Sequence, residues 1–416
     1  MTAYAAALDR LLATPTLPKL GLARMAALCA ALGDPQLAIP VLHVAGTKGK
    51  GSTSAMTASM LMAAGLRVGL TTSPHLLSAR ERIQIDGMLI DEARFVALED
   101  RVARAALVID PELETPSFFE RITAMAFCAF ADAAVDVAVV EVGLGGRLDA
   151  TNVVAPRACA ITRLGLDHTE FLGPTLAHIA AEKAGVIKAG VDVVTVAQQP
   201  AACDVLVDVA ARVGADLFFV DVDPLLQPAL FGPHQQENAS LALALVRRSG
   251  FVIDEEAVAR GLRDVRWPGR YEAISTAPLV VLDGAHDDLA AYALAAAVQA
   301  DPRVTGRPLH LVVGMSSGHD PAPFLQTLSS SSSSWTSLVA TRAAHPRALP
   351  AADIANAAVH FGVVDVVEDV AAAIDVAVAR AGADGGVVVV TGSLFVVGEA
   401  RGLFMSMPRD AARPAY

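Results

Sequence analysis

Short apolar runs alternate with alanine-rich helical segments along most of the chain. Residues 41–45, 68–72 and 136–142 are apolar stretches of strand length, whereas 4–12 and 22–32 repeat Ala, Leu and Met at helical spacing. Strands that alternate with helices usually pair in parallel, so the pattern predicts an α/β fold with a doubly wound, mostly parallel sheet. We expect the helices before the first strand to cover one edge of that sheet.

The alternation is interrupted once and then resumes. The segment Arg266-Trp267-Pro268-Gly269-Arg270 breaks the helical pattern as a linker would. Beyond it, further apolar runs of strand length lie at 279–282, 309–313, 338–341 and 387–390. The sequence therefore predicts two domains, residues 1–268 and a smaller Rossmann-like α/β domain over residues 269–416.

Composition narrows the class of protein. A chain of 416 residues is too long for one ordinary core, which agrees with two domains. It is 54% hydrophobic and 18% charged, so it can bury a large interior. A net charge of −12 argues against general binding to nucleic acid or to an anionic membrane. Any phosphate must therefore be bound by a local arrangement.

Cysteine usage and the N-terminal residues bear on location. Cys29, Cys128, Cys159 and Cys203 are scattered without metal-ligand spacing, which is typical of a reducing compartment. The first residues carry no signal-peptide pattern, and no apolar run approaches the ~18 residues of a membrane helix. We expect a cytoplasmic protein with no membrane partner. The serine tract at 329–334 is expected to be a solvated loop.

A glycine-rich turn follows the first predicted strand. It reads Gly46-Thr47-Lys48-Gly49-Lys50-Gly51-Ser52-Thr53 and leads into a predicted helix at 52–61. Glycines let backbone N–H groups turn toward phosphate oxygens, the helix N-terminus adds a positive dipole, and Lys50 adds a charge. The spacing is a variant, because Val44 and Gly51 stand where the standard motif has Gly and Ser or Thr. The first domain is thus predicted to be P-loop ATPase-like, with a plain glycine turn as the alternative.

Polar side chains also follow the other predicted strands of the first domain. Ser73 follows the second strand, Glu141 ends a later one, and Asp167 and His168 follow the next. Because the carboxyl ends of parallel strands meet at one edge of a sheet, these side chains are expected to lie together. Serine, glutamate and imidazole can complete the shell of a Mg²⁺ ion held by nucleotide phosphates. Singly, each residue also has an ordinary structural interpretation.

Two polar residues are given structural interpretations from the residues alone. His43 lies inside the first predicted strand and is assigned to structure. Lys183 adjoins Glu182 on a short predicted helix, which favours an exposed ion pair.

Taken together, the motifs resemble the folylpolyglutamate synthase and dihydrofolate synthase family of Mur ligases. The resemblance covers essentially the full chain. The matching segments are 46–52, 72–76, 81–83, 141–152, 166–168, 182–185, 267–270, 283–286 and 392–399.

This resemblance implies a role for each matched residue. Lys50 and the loop amides hold the ATP phosphates. Magnesium ligands are Ser73, Glu141 and His168, the last of them a neutral ligand and not a general base. Lys183 matches a lysine that CO₂ carbamylates to support a second metal ion, which would reverse its ordinary interpretation. Nucleotide contacts are Asn238, Arg270 and Asp283, with His286 in the same motif, and ATP lies between the domains.

The chain departs from the family pattern at three places. The second-domain motif usually continues Gly-Ala-His-Asn, whereas this chain has Asp287. A stretch that is commonly Asp-Lys-Asp is Gly318-His319-Asp320. Lys48 replaces a commoner asparagine in the phosphate loop, although lysine also occurs there in the family.

The resemblance implies an ATP-dependent ligase acting on small molecules. A substrate carboxylate attacks the γ-phosphorus of ATP, and the amino group of L-glutamate then displaces phosphate from the acyl phosphate to form an amide. The acceptor is dihydropteroate, a reduced folate or both. The loop near residues 78–84 and the Phe118-Phe119 pair are candidates to stack on its ring, and a core position is the alternative for the two phenylalanines. Alternatives are a Mur-type ligase for another carboxylate and a nucleotide-dependent switch without ligase turnover. We expect a monomer.

Overall fold

The computed structural model describes residues 2–15, 21–331, 335–406 and 408–410. The strands are β1 Val41–Ala45, β2 Val68–Thr71, β3 Gln84–Ile85, β4 Met88–Leu89, β5 Val137–Glu141, β6 Pro156–Ile161, β7 Asp192–Thr195, β8 Leu217–Phe219, β9 Glu272–Thr276, β10 Leu279–Leu282, β11 Leu309–Val313, β12 Trp335–Ala340, β13 Val364–Val366 and β14 Val387–Thr391. The α-helices are α1 Ala3–Leu12, α2 Ala23–Ala31, α3 Lys50–Ala63, α4 Glu92–Ala106, α5 Phe118–Asp132, α6 Thr169–Leu172, α7 Leu176–Ala184, α8 Pro200–Val213, α9 Pro233–Arg248, α10 Glu255–Asp264, α11 Asp288–Ala300, α12 Pro321–Ser330, α13 Ala351–Ala357, α14 Val370–Asp384 and α15 Leu394–Phe404.

The first sheet has eight strands in the order β4-β3-β2-β5-β1-β6-β7-β8. The strands from β2 to β8 in that order run parallel, and β3 and β4 add an antiparallel hairpin at one edge. Successive side chains of β1 pack on opposite faces: Val41 lies in the core under α1, α2, α4 and α5, whereas Leu42 and Val44 lie in the core under α3, α9 and α10. Helices on both faces confirm the predicted doubly wound sheet.

The second sheet has six strands in the order β13-β12-β11-β14-β10-β9. All neighbours are parallel except β9, which pairs antiparallel with β10. Its two apolar cores lie on opposite faces, as the alternation predicts. This confirms a second α/β unit after the predicted linker, whereas the limits of the two domains stay a prediction.

The short edge strands were not visible in the apolar pattern. β3, β4, β8, β9 and β13 are short or contain polar residues, and all of their positions are half-buried or exposed. The prediction for the serine tract is wrong for Ser329 and Ser330, which form the last turn of α12, and residues 332–334 lie outside the described part of the chain. No helix among the described residues is long and apolar enough to cross a membrane.

Parallel pairing determines where the polar side chains collect. β2, β5, β1 and β6 are consecutive neighbours, and their carboxyl ends lie at one edge of the sheet. The phosphate loop follows β1, Ser73 follows β2, Glu141 ends β5, and Asp167 follows β6. The topology thus places the predicted site at this edge.

Candidate active site

A cavity of about 960 Å³ is lined by residues of both α/β units. The predicted site residues that line it are Thr47, Lys48, Gly49, Lys50, Gly51, Ser52, Ser73, Glu141, His168, Asn238, Arg270, Asp283 and His286. Gly46, Thr53 and Lys183 are not among the residues that line it. The structure therefore collects side chains that are far apart in the chain around one space.

The phosphate loop has a backbone conformation that requires glycine at two positions. Gly46 has φ 142° and Gly49 has φ 90°. A Cβ atom on Gly46 would lie 1.8 Å from Thr162 Oγ1, and one on Gly49 would lie 2.2 Å from Asn238 Oδ1. Helix α3 begins at Lys50, earlier than the predicted residue 52. The loop amides and the first N–H groups of α3, which have no acceptor within the helix, are suited to bind phosphate oxygens.

Lys50 and Glu141 bring opposite charges to the floor of the cavity. Burial lowers the pKa of Lys50, and the nearby Glu141 carboxylate opposes this shift. Burial raises the pKa of Glu141, and the Lys50 ammonium is the largest opposing influence. Glu141 also accepts a hydrogen bond from the backbone N–H of Ser73 at 3.1 Å. A cation at this point would relieve the desolvation of Glu141.

His168 reaches the same cavity from the start of α6. Its backbone is left-handed, with φ 50°, and its side chain is 51% exposed. Partial burial lowers the pKa of the imidazole, so the ring is neutral near pH 7 and can donate a nitrogen lone pair. Among the described residues no group of three or more His, Cys, Asp or Glu side chains could hold a metal ion. The predicted ligand set contains two such side chains and the Ser73 hydroxyl, and it stays a prediction.

Lys183 is buried, and the interpretation as an exposed ion pair is wrong. Its Nζ atom donates a hydrogen bond to the carbonyl oxygen of Gly46 at 2.7 Å, and the residue is 4% exposed. Glu182 instead pairs with Arg147, with 2.7 Å between Nη2 and Oε1. Burial, helped by the charge of Lys50, lowers the pKa of Lys183 to about 7. A substantial fraction of this amine is therefore neutral at neutral pH.

His43 has the structural role expected of it. It is fully buried in β1, and its Nε2 atom lies 2.9 Å from Thr151 Oγ1. Burial lowers the pKa of the imidazole to about 3, so the ring stays uncharged.

Lys48 forms ion pairs with a carboxylate of each domain, so its ammonium is not an unpaired charge in the cavity. Its ammonium lies 3.1 Å from Asp167 Oδ2 and also forms a close ion pair with Asp287 Oδ2. Asp287 is the N-cap of α11 and accepts a hydrogen bond from the N–H of Ala290 at 2.9 Å. The two departures from the family pattern at positions 48 and 287 therefore contact each other.

We expect the effects of substitutions at Lys48 and Asp287 on kcat/KM for ATP to be coupled. Each of the variants Lys48→Asn and Asp287→Asn should lower kcat/KM for ATP by about fivefold, because each removes the ion pair at the phosphate loop. The double variant should lose less than the product of the two single losses. Steady-state kinetics at varied ATP measures this, and Asp288→Asn is the control, since Asp288 is the exposed neighbour of Asp287 on α11. Strictly multiplicative losses would contradict the coupling.

The second domain contributes a buried carboxylate and an arginine. Asp283 accepts hydrogen bonds from the N–H groups of Tyr271 at 2.8 Å and Ala285 at 2.9 Å. Burial raises the pKa of Asp283, with Arg270 the largest opposing influence. Asn238 donates to Gln235 Oε1 at 3.0 Å and faces Gly49 of the phosphate loop. The second domain thus contributes polar groups to the cavity, and backbone N–H groups hold Asp283 in place.

Sequence reasoning gave no individual role to several residues that line the cavity, although Arg82 belongs to the 78–84 loop named as a candidate for the acceptor ring. Arg82 Nε donates to His75 Nδ1 at 3.0 Å, and its guanidinium lies 5.2 Å from the centre of the Phe118 ring. His319, at one of the departures, packs edge-on against His286 with 5.0 Å between ring centres. In the sequence, Arg82 could have been found from its place in the matched segment 81–83. His319 was marked only as a departure from the family pattern, which indicates no role.

The domain comparisons agree with this architecture. Residues 44–201 match the Mur ligase middle domain, and residues 269–394 match the Mur ligase glutamate ligase domain. The fold and these two matches place the chain among proteins with the domains of Mur ligases.

Individual relatives narrow the class to a family. The dihydrofolate synthase/folylpolyglutamate synthase of Mycobacterium tuberculosis is 36% identical in an alignment of 446 positions that covers 93% of this chain and 91% of that protein. The structure of E. coli FolC in complex with DHPP and ADP has a TM-score of 0.86 and 32% identity and covers 97% of each chain. The chain belongs to the folylpolyglutamate synthase/dihydrofolate synthase family.

One similar protein is much longer. The probable bifunctional folylpolyglutamate synthase/dihydropteroate synthase of Halobacterium salinarum is 38% identical in an alignment of 409 positions that covers 92% of this chain. The chain spans 49% of that protein's length, so it matches about half of it.

Proposed function

We propose that this protein is an ATP-dependent ligase that adds L-glutamate to dihydropteroate, to reduced folates, or to both. The observation that carries the proposal is the single cavity lined by Lys50 and Glu141 of the first domain and by Arg270 and Asp283 of the second. A phosphate loop, a buried carboxylate and a second-domain wall are the parts that phosphoryl transfer to a carboxylate needs. Family membership supports the same activity.

The reaction proceeds in two substitutions. The acceptor carboxylate attacks the γ-phosphorus of ATP, ADP leaves, and an acyl phosphate forms. The amino group of L-glutamate then attacks the acyl carbon, phosphate leaves with its electron pair, and the amine loses a proton. Lys50 and the amides of the phosphate loop stabilise the charge that develops on the transferred phosphoryl oxygens. Enclosure between the domains keeps water away from the acyl phosphate.

We propose Ser73, Glu141 and His168 as the residues that hold divalent metal. Oxygen and neutral imidazole donors suit Mg²⁺ or Mn²⁺, and the buried Glu141 carboxylate needs a cation in its surroundings. When bound, the metal neutralises phosphate charge during transfer. The residues present therefore fit a metal site of this kind.

We propose that Lys183 reacts with CO₂ to form a carbamate. The ammonium first loses one proton, and the neutral amine then attacks the carbon of CO₂ and loses a second proton, so a buried cation becomes a carbamate anion. A pKa of about 7 supports this step, because only the unprotonated amine is nucleophilic. The anion would lie behind the phosphate loop, near Lys50, and would help a second metal ion to bind.

The acceptor occupies the part of the cavity near Arg82 and Phe118. Phe118 is 2% exposed and packs in the core, so the half-buried Phe119, which also lines the cavity, is the ring that can stack on a flat heterocycle, and the Arg82 guanidinium suits a carboxylate. We further propose that the protein acts as a monomer in the cytoplasm, since a single chain supplies both walls of the cavity.

A product assay by mass tests the function. Dihydropteroate and tetrahydrofolate are offered separately with ATP, Mg²⁺ and L-glutamate, and we expect a product heavier by one glutamyl unit for at least one of them. ADP should accumulate beyond about one equivalent per protein only when acceptor and glutamate are both present, because the acyl phosphate must be consumed before a second turnover. ATP hydrolysis that does not depend on either substrate would favour a nucleotide-dependent switch. Product formation with a different carboxylate, and with neither dihydropteroate nor tetrahydrofolate, would favour another Mur-type ligase.

A further inference from the structure

The segment of residues 73–82 connects two walls of the cavity. It begins at Ser73, directly after β2, and ends at Arg82 beside Phe118. Both end residues line the cavity. Any movement of the backbone between them would therefore move a proposed metal ligand and part of the acceptor wall together.

The middle of this segment packs in the second domain, not in the first. Leu76 and Leu77 are buried in the core formed by β10, β14 and α15. Helix α15 approaches so closely that a Cβ atom on Gly398 would lie 2.6 Å from the carbonyl oxygen of Leu76. The 73–82 segment thus couples the first sheet to the second domain.

Its own side chains fix the local backbone. Glu81 accepts hydrogen bonds from the N–H groups of Leu76, Leu77 and Ser78 at 2.7 to 2.8 Å. Ser78 in turn caps the short 3-10 helix Ala79–Arg82. The turn is therefore rigid, and its placement depends on what holds it from outside.

Asp410, which follows α15 in the chain, holds it from outside. Its carboxylate accepts hydrogen bonds from the Ala79 N–H at 2.6 Å and the Ser78 hydroxyl at 3.1 Å. The Tyr4 hydroxyl of α1 donates to the same carboxylate at 2.6 Å. The Asp410 N–H donates to the Leu77 carbonyl oxygen at 3.0 Å, and the residue is 5% exposed. A chain segment leaving the second domain thus fastens the turn to the first domain.

We propose that Asp410 is a positioning residue for the ligase reaction. By fastening the 73–82 segment to α1, it holds Ser73 and Arg82 in place at the cavity while the two domains bind substrates. A buried carboxylate that receives three donors from two separate elements restrains them more strongly than a surface contact would. This inference rests on the proposed function for its kinetic consequence, but its structural part does not.

The kinetic test uses the full chain with Asp410→Asn and Tyr4→Phe. For Asp410→Asn we expect KM for the acceptor to rise about tenfold and the Mg²⁺ concentration for half-maximal rate to rise about threefold, because the moved ends lie at those sites. Tyr4→Phe should have a smaller effect in the same direction, since it removes one of the three donors and keeps the ring that packs on Phe95. ADP affinity, measured by calorimetry, should stay within about twofold because the phosphate loop is not attached to this segment.

Hydrogen exchange without substrates tests the attachment separately from catalysis. The amides of residues 76–79 should exchange faster in Asp410→Asn than in the parent protein, even if no glutamylated product is ever detected. Arg409→Ala is the matched control, because Arg409 is the exposed neighbour on the same segment, and it should change neither exchange nor kinetics. Unchanged exchange in Asp410→Asn would overturn the proposal. A fall in kcat, a rise in acceptor KM and a fall in ADP affinity by similar factors would overturn it too, because that pattern would indicate general destabilisation.

Discussion

Replacement of Lys50 by alanine is expected to reduce ligase turnover by about 10³-fold, the range seen when a charge that stabilises a transferring phosphoryl group is removed. Lys50 is the first residue of α3, at the end of the phosphate loop, and its half-buried side chain interacts electrostatically with Glu141. Its loss would leave the developing charge on the phosphoryl oxygens without its nearest side-chain cation. Formation of ADP at saturating ATP, acceptor and glutamate measures the effect.

Lys48→Asn is the comparison that makes this result specific. Lys48 lies in the same loop, but its ammonium is engaged by Asp167 and Asp287. We expect its replacement to cost less than about tenfold in turnover, since an ion pair contributes less than a group that contacts the transferring phosphoryl. Thermal unfolding of both variants checks that each is folded. Wild-type-like turnover in Lys50→Ala would reject the assignment of the phosphate loop.

Lys183 should show a dependence on CO₂ that follows its pKa. Because burial lowers that pKa to about 7, the neutral and reactive fraction of the amine grows as pH rises through 7. At pH 6 only about a tenth of the amine is neutral. We therefore expect added bicarbonate to raise activity at pH 6 and to have little effect at pH 8. Carbon-13 NMR with labelled bicarbonate should show a carbamate signal.

Lys183→Ala and Lys183→Arg separate carbamylation from simple positive charge. Both should lower turnover by about 10²-fold or more, because neither can form a carbamate anion near the metal. Neither variant should respond to bicarbonate, and neither should give the carbamate signal. A fully active parent protein whose Lys183 carries no added mass would contradict the proposal, as would an Arg variant with normal turnover.

The sequence was sufficient where the deciding interaction is local. Apolar runs of strand length determined the central strands of both sheets, because residues buried on both faces must be apolar. The turn at Gly46 to Lys50 was legible because its backbone conformation excludes most side chains. His43 was assigned correctly, since a lone histidine inside an apolar strand has little access to solvent. Edge strands such as β9 and β13 were missed because half-buried positions leave no clear pattern.

The apolar and motif patterns did not predict contacts between residues that are far apart in the chain. Lys183 sits beside Glu182, and nothing nearby indicates that its amine would lie under the carbonyl of Gly46. The pairing of Lys48 with Asp287 depends on how the second domain meets the first.

Composition, periodicity and motif spacing by themselves determined an α/β protein with a phosphate loop and a second α/β unit, because these properties depend on local burial and backbone geometry. Only the tertiary structure decided that Lys183 is buried, that Lys48 joins the domains, and that Asp410 fastens the 73–82 segment. The physical reason is that desolvation and charge pairing depend on neighbours that come from distant parts of the chain.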